Sequence, residues 1–124
     1  EGSVSFGVGN HRLVAKDEAA LRFAGGSLCT IGSTATGSAF GTGTGSSGLG
    51  SVVFDSSAML SITGFGDPFG ATAPNSVLKL EHGSRFMYRT RGSSLNLSGR
   101  TLGDFDFESG TSVTVAGTTP VTMD

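Results

Sequence analysis

The sequence predicts an all-β fold of short strands turned by glycine and serine, arranged as a β-solenoid, a β-prism or a sandwich, and oligomeric. Three observations carry that expectation. First, 21 Gly, 18 Ser and 14 Thr stand in the chain, and all three types form helices poorly. Second, apolar and polar residues alternate in short runs, each followed within a few positions by Gly, as strands with one buried face and a sharp turn require. Third, the whole stretch from Phe23 to Leu78 carries only two charges, Asp55 and Asp67, and every other charge lies in the flanks. A monomer normally scatters charge over its surface, so this neutral centre is expected to face another chain.

The same composition excludes several classes. No run approaches the roughly 20 apolar residues of a membrane span. Gly has no period of three and Pro numbers only 3, which removes collagen. A net charge of −2 is too small to hold the chain open. With eight Lys and Arg against ten Asp and Glu, there is no basic excess to hold phosphates, so nucleic acid is not an expected partner.

Along the chain, residues 1–124 read as a single all-β domain with a Gly/Ser/Thr-rich arm or loop at 32–51. The opening Glu1–Gly2–Ser3 resembles a mature or excised terminus. With no initiating Met it is expected to belong to a processed product or a fragment, and residues 1–20 contain no apolar signal core. The next stretch has two readings. Asp17 could cap a helix over Glu18–Ala24 that ends at Gly25–Gly26. Alternatively, Arg12–Ala15 pairs with Ala20–Phe23 as a hairpin around Lys16–Asp17–Glu18, and the helix-poor composition favours this hairpin.

The first strand unit is Leu21–Arg22–Phe23–Ala24–Gly25. Cys29, the single cysteine, lies in Ser27–Ile31 and reads as a small buried hydrophobe in a strand. One cysteine builds no internal disulfide, and with His11 and His82 it offers no metal-ligand spacing. In the arm, Phe40 and Leu49 are spaced apolar anchors. The arm is expected to dock on a neighbouring subunit, with Phe40, Leu49 and Cys29 at the contact.

The unit then returns at Leu60–Gly64, Leu78–Gly83, Leu95–Gly99, Phe105–Gly110 and Val113–Gly117, with Val121–Met123 as an echo. Phe105, Val113 and Val121 are evenly spaced, which suits hairpins or the successive faces of a solenoid. No Asn-Gly or Asp-Gly pair is present to make tight hairpin turns, so the solenoid or prism is preferred.

Two charged stripes are the candidate chemistry. Alternation puts Asp104, Asp106 and Glu108 on one face of a strand and Phe105 and Phe107 on the other. Three acids so placed are a candidate Ca²⁺ site or an acid/base pair for glycoside cleavage, against a simpler reading as a solvated face. In Arg85–Phe86–Met87–Tyr88–Arg89–Thr90–Arg91 the arginines alternate with Phe86 and Tyr88. If the two stripes adjoin, they form a ladder of cross-strand ion pairs. Arg85, Tyr88, Arg89 and Arg91 could equally bind an acidic glycan, through charge-assisted hydrogen bonds and an aromatic ring. No nucleophile elbow, phosphate loop or metal motif is present, and no cofactor is expected.

The units Gly92–Gly99 (GSSLNLSG), Ser109–Gly117 (SGTSVTVAG) and Asn75–Ser84 (NSVLKLEHGS) resemble the Gly/Ser-turned strands of phage tail spikes and fibres and of bacterial surface β-helix adhesins. The resemblance covers the C-terminal half of the chain. It implies a trimeric, shape-stable assembly that projects from a virion or cell and binds glycans. The expected function is therefore a structural, self-assembling β module of an extracellular or virion assembly. Its main partner would be itself, as a homo-oligomer such as a trimer, and a cell-surface glycan its second. A capsid decoration or filament-forming subunit is one alternative, and a fragment of a polysaccharide-degrading β-solenoid enzyme is another.

Overall fold

The computed structural model describes residues 2–35, 38–41, 47–64, 67–70, 72–89, 91–115 and 117–124, without the side chains of 91–94 and 112–115. Twelve strands form among them: β1 Ser3–Gly9, β2 Leu21–Phe23, β3 Leu28–Ala35, β4 Val52–Phe54, β5 Met59–Ile62, β6 Leu78–Leu80, β7 Arg85–Tyr88, β8 Arg91–Leu95, β9 Thr101–Leu102, β10 Asp104–Phe107, β11 Ser112–Val115 and β12 Thr122–Met123. There is no helix among the described residues. The first sheet has the order β1-β3-β5-β7-β10 and the second β2-β4-β6, with two further pairs, β8 with β11 and β9 with β12.

Every pairing among these strands is parallel. From β1 to β7 the strands alternate between the two sheets, so each excursion through the second advances the chain one strand along the first; between β7 and β10 the chain runs through β8 and β9 instead. Ser3, Leu28, Met59, Arg85 and Asp104 share one column of that sheet. Successive passes differ in length. The pass from Leu28 to Met59 is the longest and holds the Gly-rich stretch, whereas the pass from Arg85 to Asp104 is the shortest.

This topology corrects the expected hairpin. Leu21–Phe23 pairs in parallel with Val52–Phe54, not with Arg12–Ala15. The helical alternative also fails, because Leu21–Phe23 is extended. The even repeat near the end sends β10, β11 and β12 to three different partners, β7, β8 and β9.

Alternation supplies the core as columns. In the first sheet Cys29, Leu60, Phe86 and Phe105 form one inward column, and Ile31, Ile62 and Tyr88 form the next. Opposite them stand Phe23, Phe54 and Leu80, and beside those Leu21, Val52 and Leu78. Like residues stack on like: the Phe23 and Phe54 rings lie parallel at 4.5 Å, and Phe86 and Phe105 at 4.9 Å. Burying a side chain of this size contributes roughly 1.5–3 kcal/mol, so stacked triplets stabilise even the shortest strands.

Corners between the sheets are stacked too. The turns Ala24–Ser27, Asp55–Ala58 and Glu81–Ser84 each close with a bond from the fourth residue's N–H to the first carbonyl. Gly26 N–H donates to Ser57 O at 3.1 Å, and Ser57 N–H donates to Gly83 O at 2.8 Å. Their third residues, Gly26, Ser57 and Gly83, have φ of 80°, 67° and 75°. Ser57 thus holds a left-handed position that glycine fills on either side.

The arm packs inward where it is described. Phe40 is fully buried and meets Phe6 edge-on at 5.8 Å. Leu13 N–H donates to Ala39 O, Gly48 N–H to Ala15 O, and Ala15 N–H to Ser47 Oγ. Residues 38–41 and 47–48 therefore dock on this chain's own Leu13–Ala15 segment. Most of the apolar residues of the neutral centre also turn into the core of their own chain.

Candidate functional site

The two charged stripes do adjoin, because β7 and β10 pair directly. Arg85 engages Asp106 Oδ2 through both Nε and Nη2, and Arg89 Nε lies 3.8 Å from Glu108 Oε2. These exposed pairs are worth about 0–1 kcal/mol each. Asp106 and Glu108 thus face guanidinium groups and not one another. Among the described residues no group of three or more His, Cys, Asp or Glu is placed to hold a metal ion, so the three acids do not assemble a Ca²⁺ cradle; Asp104 sits exposed at the start of the strand.

The proposed recognition set is divided by the same alternation. Arg85 and Arg89 point outward, whereas Tyr88 is 2% exposed and packs against Phe86. Its ring face is not offered at the surface. The Arg91 side chain lies outside the described residues. Of the three expected contact residues, Cys29 and Phe40 are core residues and Leu49 alone is exposed. Burial raises the Cys29 thiol to about 12, so it stays protonated at neutral pH.

A cleft that no sequence motif marked lies where the second sheet stops. Its last strand, β6, does not pair with β9, although the corners that follow each strand touch. A Cβ on Gly103 would lie 2.5 Å from Ser84 O and 3.2 Å from Glu81 O. Between β6 and β9 opens a cavity of about 440 Å³, bordered by Phe69, Pro74, Asn75, Lys79, Arg100 and Thr101 among others. Lys79 and Glu81 form an ion pair at 2.9 Å on its rim, and Asp124 lies 3.9 Å from His82.

Arg100 closes the cleft at one end and is 3% exposed. Its Nε donates to Asn96 O and its Nη1 to Asn75 O, both at 2.8 Å, and the guanidinium carbon sits 4.3 Å above the centre of the Phe69 ring. Burial lowers its pKa from the ordinary arginine value, while the charge of Asp67 opposes that shift. Asp67 also accepts a bond from Phe69 N–H at 2.9 Å, which holds the ring under the guanidinium. Both lone carboxylates of the neutral centre thus answer an arginine from a flank: Asp67 acts on Arg100, and Asp55 pairs with Arg22 at 2.5 Å. Two isolated acids in an otherwise neutral stretch were the available signal for these partnerships.

The arrangement can hold an extended, uncharged ligand between two strand edges, with apolar contacts beneath and polar groups at the rim. Comparison of the chain with protein-family models, curated proteins and solved structures finds no match.

Proposed function

We propose that this chain is a structural β-solenoid module that self-associates end to end, as a component of an extracellular or virion assembly of the tail-spike or fibre kind. The observation that carries the reading is the parallel stacking of strands, each pass resting on its predecessor, in register apart from a shift between Phe6 and Val8 of β1. Such a stack has two exposed edges, and each presents unpaired backbone and apolar side chains. At one edge Val4 is 38% and Val8 72% exposed in β1; at the other Phe107 is 51% and Met123 55% exposed.

The edges also differ in charge. Residues 104–124 carry Asp104, Asp106, Glu108 and Asp124 and no Lys or Arg, whereas residues 2–23 of the first pass mix Arg12, Lys16 and Arg22 with Asp17 and Glu18. A contact between unlike surfaces is head-to-tail, and one made along the stacking direction propagates instead of closing. A glycan contact is a secondary proposal, and Arg85 and Arg89 are the exposed members of the set that would make it.

Sedimentation of the chain from low to high micromolar concentration tests the reading. Expected is concentration-dependent growth into elongated species, weakened by salt and abolished by Val8→Lys, which puts a charge on the edge strand. A monomer throughout, or a closed trimer indifferent to Val8→Lys, would refute end-to-end association.

A further inference from the structure

We propose that the cleft between β6 and β9 is a receptor slot for one extended peptide segment, which enters the gap as an inserted strand. Backbone groups on both walls face the gap. Val52 N–H donates to Val77 O and Glu81 N–H donates to Phe54 O. Val77 O and Glu81 N–H therefore face β4, as do both backbone groups of Lys79 between them. In a strand, successive residues point their N–H and C=O to opposite sides, so Leu78 and Leu80 face the cleft.

The far wall obeys the same rule. Thr122 N–H donates to Arg100 O and Asp124 N–H to Leu102 O, which leaves Thr101 facing β6. Leu78 N–H is met locally by Ser76 Oγ at 3.1 Å. Among the described residues Leu78 O, the N–H and O of Leu80, and the N–H and O of Thr101 have no partner across the gap. Two parallel strand edges thus confront each other without pairing, held apart where Arg100 bonds Asn75 O at one end and joined near Gly103 at the other.

The size fits a strand. A residue in a sheet occupies about 160 Å³, from a rise of about 3.3 Å, a strand spacing of about 4.8 Å and a layer spacing of about 10 Å. A cavity of about 440 Å³ holds about three such residues, the length of β6. The lining selects the pattern. Leu78, Leu80 and Phe69 lie on the inner side, and Lys79 and Thr101 on the outer. The insert is therefore apolar–polar–apolar and uncharged, the pattern of this chain's own strand units. Main-chain bonds supply its affinity and the alternate side chains its specificity.

A blocked Ser-Val-Thr-Val-Ala peptide, the sequence of residues 112–116, is a suitable probe for the intact chain. At saturating peptide the amides of Leu80 and Thr101 are expected to become protected from hydrogen exchange. The amides of Lys79 and Leu102, already in ladders, are expected to stay as they were. Methylating the nitrogen of the central Thr removes one wall bond whichever way the peptide lies, and should weaken binding about tenfold. No protection at Leu80 and Thr101, equal binding of the methylated peptide, or displacement by an oligosaccharide without amide protection would each overturn the proposal.

Discussion

Removing the Arg100 guanidinium is the sharpest test of how the second sheet is terminated. Arg100→Ala deletes two charge-assisted bonds, to Asn96 O and Asn75 O at 2.8 Å, and the contact over Phe69 at 4.3 Å. Bonds to a charged donor are worth about 1.5–3 kcal/mol each, and a desolvated cation over a ring about 1–2 kcal/mol. Asn75 is exposed and Asn96 half-buried, so water recovers part of what the carbonyls lose, and the cost of burying the charge is returned. A net loss of about 3 kcal/mol follows, which for a chain of this size lowers the melting temperature by roughly 10 °C. Arg100→Lys should recover less than half, because an ammonium cannot span two carbonyls in the fixed fork of a guanidinium. Thermal unfolding followed by circular dichroism reads both. An Arg100→Ala variant melting within a degree or two of the parent would show that the guanidinium does not tie the Asn75 loop to the β9 strand.

Two further outcomes follow from local geometry. Ser57→Gly should stabilise the chain by about 0.5–1 kcal/mol in denaturant titration, because a left-handed L-residue costs roughly 1–2 kcal/mol and the added freedom of glycine offsets part of that; its φ of 67° lies between glycines at 80° and 75°. Cys29 gives a pH signature: with the thiol ordinarily at 9.0 and raised to about 12 when folded, the unfolded state releases its proton first. Its contribution is complete below pH 9 and falls by about 1.4 kcal/mol per pH unit from there toward the folded value, so a Cys29→Ala variant should lose stability less steeply between pH 9 and 11.

The strand units were legible because period-two alternation is a local property. Leu21–Phe23, Leu78–Leu80 and Phe105–Phe107 all became strands with the expected residues on opposite faces. The stripe Arg85–Arg89 and the acids at 106 and 108 could be matched by charge, and β7 beside β10 joins them. What could not be read was the identity of each strand's neighbour. Arg12–Ala15 lies close in sequence to Ala20–Phe23, which invited a hairpin. The partner of that strand is instead Val52–Phe54, beyond the whole Gly-rich stretch, where stacking in parallel lets Phe23 and Phe54 bury each other. The cleft was invisible for a related reason. It arises from a bond that does not form between β6 and β9, and a missing pairing has no residue signature.

By itself, then, the sequence determined the class of structure: short alternating strands, turns that need Gly or Ser at positive φ, and too little helix propensity for anything else. Tertiary structure decided whether the neutral centre faces inward or outward. The described arm residues could have served a neighbour, but burial of Phe40 against Phe6 and the bonds to Leu13 and Ala15 turned them onto their own chain. Alternation says only that a strand has an apolar face. What covers that face depends on contacts between residues far apart in the chain, whose free energy is realised only when all the passes are stacked.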